Sequence, residues 1–321
     1  MKGWKRVLSQ RGLLLGLATC LAYLLVGLAA PWLAPLEPVP GTGGKLIPGY
    51  NVVGEFPQRL PLPPSREAPL GTIASRDVYT AVVWGARDAM AFGVTVALGA
   101  AAVGVVIGAL GGSLGGLTNW LLMRITDGFL TFPLIAAVIL SSQLQQTLYG
   151  AYLAGYYNAP PPPPLARLLF SLQFTMILFL WMPYARLENA LVLRLKSSEF
   201  IEAARALGAS APRIFLRHLI PNSLAPIIVL ISRDIGAVVL LQAALTYIHL
   251  QGNSIWGGLI SDGRDWVIGL HGNPFTYWWV YLPTSLAIVL FSVGFGLVGD
   301  GLNALLNPHR PARGGPPLES L

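Results

Sequence analysis

Apolar residues run through this chain in long unbroken blocks, and the polar residues gather between the blocks instead of alternating with them. Windows of about 20 apolar residues, enough for a helix to cross a hydrocarbon core of about 30 Å, fall at residues 13–33, 90–110, 165–182, 224–250 and 277–298. A sixth window, 117–144, reads "LTNWLLMRITDGFLTFPLIAAVILSSQL" and carries Arg124 and Asp127, which are spaced to pair on one helix face near an interface. The pattern predicts an all-α polytopic membrane protein with six transmembrane helices.

Between the blocks, glycine and proline mark the connections. The stretch "LEPVPGTGGKLIPGYNVVGEFPQRLPLPPS" reads as a long, turn-rich external segment, "NAPPPPPL" as extended polyproline, and "NPHRPARGGPPLESL" as a disordered tail. The layout predicted is an N-terminal segment with the first span (1–34), an extracytoplasmic segment (35–88), a five-helix core (89–305) and a tail (306–321). Within the core a polar loop covers 188–221. Glycines at 104, 108, 111, 112, 115 and 116 either invite a close helix crossing or face lipid. Trp256, Trp266, Trp278 and Trp279 fit an interfacial aromatic belt.

Composition supports the membrane reading, since 54% hydrophobic and only 11% charged residues in a chain of 321 exceed what a water-soluble core can bury. The first span is longer than a signal-peptide core and shows no small-residue cleavage site, so it is read as retained. Lys2, Lys5, Arg6 and Arg11 precede it, and Arg186, Arg194, Lys196, Arg205, Arg213 and Arg217 crowd between the fourth and fifth spans. Both clusters favour the cytoplasmic side, which puts both termini there. The external segment's own Lys45, Arg59, Arg66, Arg76 and Arg87 weigh little in so long a loop. A formal charge of +7 suits anionic lipid better than nucleic acid, for which no reading motif is present. The single cysteine, Cys20, excludes an internal disulfide, and the scattered histidines have no metal-ligand spacing.

The polar loop holds the chemistry. In "EFIEAARALGASAPRIFLRHLIPN", Ser198 can cap a short helix with Glu199 and Glu202 in its first turn, where acids suit the positive end of the dipole. Phe200, Ala203, Ala204 and Leu207 then share a face, Gly208 can end the helix in a left-handed conformation, and Ser210 with Pro212 can start a second one that ends at Pro221. An apolar stripe with nothing in the chain to cover it points to a partner protein.

These residues resemble a known family. Glu202, Ala203, Ala204, Gly208 and Pro221 match the EAA loop of ABC-importer permeases, and "EAARALGAS" with "RHLIPN" is similar to the C-type subunit of the dipeptide and oligopeptide branch. "APLGTIASRDVYTAVVWGAR", "MRITDGFLTFP" and "YWWVYLPTSLAIVLFSVGFGLVGDGLNALLNP" resemble further segments of that branch, in order. The resemblance implies a non-catalytic subunit in the inner (plasma) membrane of a prokaryotic cell, forming half of a pathway for peptides. Its implied partners are a second permease subunit, two cytoplasmic ATP-binding subunits that bind the ATP and Mg, and an extracytoplasmic substrate-binding protein. Glu202, Ala203, Ala204, Leu207 and Gly208 would then couple the loop to an ATPase. No Walker A pattern occurs in this chain, and no cofactor of its own is expected. Two features depart from the branch. The fifth span reads "LLQAALTYIHLQG", with Gln242, Tyr247 and His249 where the family has an acid, a phenylalanine and a glycine, and the 141–164 loop is long.

Arg233 and Asp234 lie about 18 Å along the helix from Pro221. Ionised groups at such depth cost about 2.5 to 3.5 kcal/mol each, so both are expected to face the bundle interior. Adjacent on a helix, they point about 100° apart and need separate partners. Together with Gln242 they are the candidate pathway residues. Oligosaccharides or nickel complexes are alternative cargoes, and an ion-coupled secondary transporter is the competing class.

Overall fold

The computed structural model of the chain describes residues 11–54, 60–153, 161–269 and 272–306. The first basic cluster apart from Arg11, part of the proline run and the tail from 307 onward lie outside the described residues.

Helix α1 (Arg11–Leu33) leads into a segment, described over 34–54 and 60–71, that forms no helix there and precedes a small hairpin. Strand β1 (Thr72–Ile73) pairs antiparallel with β2 (Arg76–Asp77) across Ala74 and Ser75, both at positive φ. This hairpin is a minor exception to the all-α expectation. Asp77 then caps α2 (Val78–Leu114), accepting from the backbone N–H of Tyr79 at 3.1 Å and of Thr80 at 2.9 Å. Arg76 pairs with Asp262 at 2.6 Å and stacks over Tyr50. The adjacent pair Arg76 and Asp77 thus finds two separate partners, since neighbouring side chains in a strand point to opposite faces.

At 37 residues α2 is about 55 Å long by helical rise. It exceeds the hydrocarbon thickness and forms the hub of the bundle, packing on six later helices as well as on α1. The third expected span is two helices, α3 (Gly116–Thr131) and α4 (Leu134–Leu153), bent by 78° between them. Pro133 explains the break: Phe132 before it is extended, at φ −80° and ψ 125°. Arg124 and Asp127 do not pair; Asp127 accepts from Arg186, and Arg124 lies over the Trp120 ring.

The fourth span sits further along the chain than apolarity alone suggests. After the short α5 (Pro164–Leu169), Ser171 caps α6 (Leu172–Leu180) by accepting from the Phe174 N–H at 3.1 Å, and α7 (Met182–Lys196) continues it. The span is Leu172–Lys196. Its second half carries Glu188 and Asn189, which are buried against other helices and so do not need an apolar sequence around them. Arg186 and Arg194 accordingly lie within this helix, outside the polar loop proper.

The loop begins with α8 (Glu199–Ala206) and α9 (Ala211–Ile214), after which a π-helical turn (Phe215–Leu219) runs directly into α10 (Ile220–Tyr247). No break occurs at Pro221. The second loop helix and the fifth span are one helical column, Ala211–Tyr247. Asn222 Nδ2 donates to the His218 carbonyl at 2.6 Å beside the proline.

Helices α11 (Ile255–Asp262), α12 (Arg264–Ile268) and α13 (Trp278–Leu306) complete the bundle. Among the described residues, five helices are long and apolar enough to cross a membrane, and the bent pair makes a sixth. Trp256 is no belt residue: it is 1% exposed, packs edge-on against Tyr23 and Phe291, and donates its indole N–H to the Val82 carbonyl. Trp279 is buried too, whereas Trp278 is exposed.

Candidate functional site

Two groups of predicted residues can be located: the polar loop at one end of the bundle, and the polar positions along α10.

In the loop, Ser198 occupies the N-cap position of α8, but its side chain turns back to the Leu195 carbonyl. The helix instead starts on the Ser198 carbonyl, which accepts from Ile201 and Glu202. Its other end is a complete Schellman motif. Gly208 sits at φ +81°, its N–H reaches the Arg205 carbonyl, and the Ala209 N–H reaches the Ala204 carbonyl.

The residue that anchors the loop was not among those singled out. Ile201 is fully buried with Ala109, Val192, Ile214 and Leu219, joining α8 to the ends of α2, α7 and α10. It lies about 100° from the Phe200 face on a helix, so a search for the largest stripe passes over it. The stripe itself points away from the protein: Phe200 is 45% exposed, Leu207 is 89% exposed, and Glu202 and Ala203 are also exposed. Ala204 is half-buried. Beneath the loop is a largely apolar cavity of about 490 Å³ between Leu110 and Leu114 of α2 and Pro212 and Phe215 of the helical column, with Lys196 and Arg205 on its wall. The Lys196 ammonium donates to the Ser113 carbonyl at 2.7 Å, tying α7 to the end of α2.

Along α10, Arg233 and Asp234 do diverge. Arg233 reaches Asp300 of α13 at 2.6 Å, with its stem over Gly299. Asp234 accepts from the Tyr184 hydroxyl of α7 at 2.6 Å. Only Asp234 is turned inward as expected. The side chains of Arg233 and Asp300 are 54% and 61% exposed, so that pair lies on the bundle's outer face. Gln242 stands apart from both, about 12 Å further along the helix. It is 3% exposed, and its Oε1 has no hydrogen-bond partner among the described residues. Tyr247 lies under the Arg264 guanidinium, and His249, at φ +58°, approaches the Ser261 hydroxyl.

Residues 104–310 match the family described as the binding-protein-dependent transport system inner membrane component. The chain belongs to this family. It is 31% identical over 290 residues to the probable D,D-dipeptide transport system permease protein DdpC of Escherichia coli (strain K12), covering 89% of this chain and 83% of that protein. The dipeptide transport system permease protein DppC of Bacillus subtilis (strain 168) is 27% identical over 309 residues, 95% of this chain and 84% of that protein. The nickel transport system permease protein NikC of Escherichia coli (strain K12) is 28% identical over 289 residues, 89% of this chain and 90% of that protein. This inner-membrane component is therefore a multi-pass permease subunit of an ABC importer, and the ion-coupled alternative is set aside.

Proposed function

We propose that the chain is one of two permease subunits of an ATP-driven importer of short peptides, delivered by an extracytoplasmic binding protein and driven by two cytoplasmic ATP-binding subunits. One observation carries the coupling part of this reading. The loop helix is locked to three spans by Ile201 on one side while it offers Phe200, Ala203 and Leu207 uncovered on the other. A partner that pushes on that stripe moves α2, α7 and α10 together. Glu202, Ala203, Ala204, Leu207 and Gly208 are the coupling residues in this reading. The peptide cargo is supported by the names of the dipeptide relatives. Reconstitution with the partner subunits tests it: ATP-dependent uptake of dialanine is expected, and uptake of a nickel complex in its place would overturn the cargo assignment.

In the proposed orientation the loop and both termini are cytoplasmic and the hairpin segment is outside. With Cys20→Ser as background, Lys45→Cys should react with an impermeant maleimide added outside, and Ser210→Cys only after the membrane is opened. External labelling at position 210 would invert the topology and remove the coupling assignment with it.

Arg233 and Asp234 line the pathway at the subunit interface in this reading. An exposed ion pair within a membrane-spanning bundle needs water or a partner against it. Arg233→Gln and Asp234→Asn are each expected to lower uptake of charged substrate by a factor on the order of ten, about 1.4 kcal/mol, in complexes that still assemble. Failure of both to assemble would make the residues structural, and normal uptake by both would remove them from the pathway.

A further inference from the structure

A second cavity, of about 300 Å³, opens between α2, α4, α6, α10 and the turn that follows α10. Its polar lining is unusual for a membrane bundle: Asp88, Gln145, Gln173, Gln242, Gln251 and Asn253, with Phe92 and Leu172 beside them. No Lys, Arg or His is among the described lining residues, so the lining carries one formal charge, and it is negative.

The hydrogen-bond inventory sharpens this. Asp88 lies close to the Ile255 backbone N–H at the start of α11 and to the Gln242 side chain. Gln242 Oε1 is left buried with no partner among the described residues. Gln251 spends its amide N–H on the Phe170 carbonyl at 2.8 Å, and its Oε1 is likewise buried with no described partner. Buried acceptors without donors are uncommon and costly. These two acceptors lie beside the Asp88 carboxylate, a set that suits a donor-rich occupant.

A protonated amine supplies three N–H donors and one positive charge on a single atom. The carboxamides of Gln145 and Gln173 each offer both a donor and an acceptor, which matches a peptide bond's C=O and N–H. At about 300 Å³ the cavity is at the small end of ligand sites, so it fits the end of a peptide and not a long chain. We propose that this cavity is a subsite for the α-ammonium end of a peptide in transit, with Asp88, Gln242 and Gln251 receiving the ammonium group. The proposal rests on the peptide reading above and assigns it a place in the bundle.

The test uses the whole complex with Cys20→Ser and Asn253→Cys, following maleimide labelling at position 253. Millimolar dialanine is expected to slow labelling at least threefold, and N-acetyl-dialanine, which lacks the ammonium, is expected to leave it unchanged. Asp88→Asn keeps an acceptor for the Ile255 N–H but drops the charge, and it should abolish the protection. Gln242→Leu is a second variant that should do the same if the first does not assemble. No slowing, equal slowing by both probes, or protection that survives these variants would each overturn the subsite. ATP-driven uptake of dialanine by the unmutated complex separates the two readings. Uptake without protection removes the subsite alone, and the absence of both removes the peptide cargo as well.

Discussion

Gly208→Val is expected to lower substrate-driven uptake at least tenfold while the chain still inserts and joins its partners. A Cβ at this position would meet nothing within 4 Å, so crowding is not the obstacle. Backbone conformation is. At φ +81° an L-residue pays about 1–2 kcal/mol, and a β-branched one is a true outlier there. Valine relieves the strain by leaving the left-handed region, which breaks the Gly208-to-Arg205 and Ala209-to-Ala204 bonds that close the motif. The end of α8 then swings, and the Phe200 and Leu207 stripe no longer faces its partner in the geometry that Ile201 fixes. Asparagine tolerates the left-handed region, so Gly208→Asn should keep most of the uptake, which distinguishes a conformational effect from loss of a small surface. Normal substrate-stimulated ATPase and uptake in the valine variant would sink the coupling role.

The Gly208 bend is legible in the linear chain, since a left-handed helix end has a local signature that needs no distant partner. Spans declare themselves too, because a residue such as Leu15 or Leu28, exposed on the outside of a membrane-crossing bundle, must be apolar whatever lies elsewhere in the chain. Features that depend on a distant partner are hidden. Glu188 and Asn189 look like loop residues until α2, α3 and α10 are packed around them: Ser223 of α10 donates to the Glu188 carboxyl at 2.6 Å, and Asn189 donates to Asn119 of α3 at 2.6 Å and to the Gly108 carbonyl of α2 at 3.2 Å. Asp127 prefers Arg186, 59 positions away, over the near neighbour Arg124, and Arg233 prefers Asp300, 67 positions away. Trp256 reads as a belt residue by type, yet Gly85 opposite it leaves space for the ring in the core. Gln242 could be singled out as an odd residue, but its cavity is built by five separate segments and has no linear trace.

The α2–α7 crossing is where a single methyl group should matter most to the fold. Gly104, Gly108 and Gly112 recur every fourth residue on one face of α2, the spacing that lets two helix backbones approach in a membrane. Sequence left this stripe open between a crossing and a lipid face, and the packing decides it. A Cβ on Gly104 would lie 2.5 Å from Tyr184 Cβ, one on Gly108 would lie 2.9 Å from Glu188 Cβ and closer still to the Ala185 carbonyl oxygen, and one on Gly112 would lie 2.9 Å from Val192 Cβ. Gly108 is the tightest by a small margin, and there, as at Gly104, the nearest obstructing atom is a backbone carbonyl oxygen that cannot rotate away. Gly108→Ala should therefore force α7 outward, stretch the Asn189-to-Gly108 hydrogen bond of 3.2 Å, and disturb the buried Glu188 beside it. Overpacking of this kind costs about 1–3 kcal/mol, and Gly108→Leu exceeds what the interface can absorb. The expected result is a lower thermal midpoint in detergent for the alanine variant and no recoverable complex for the leucine variant. Gly296→Ala is the matched control, since an added methyl on that helical glycine has nothing within 4 Å and the variant should melt as the unmutated protein does. A leucine at 108 that assembles and melts normally would mean that α2 and α7 do not cross this closely.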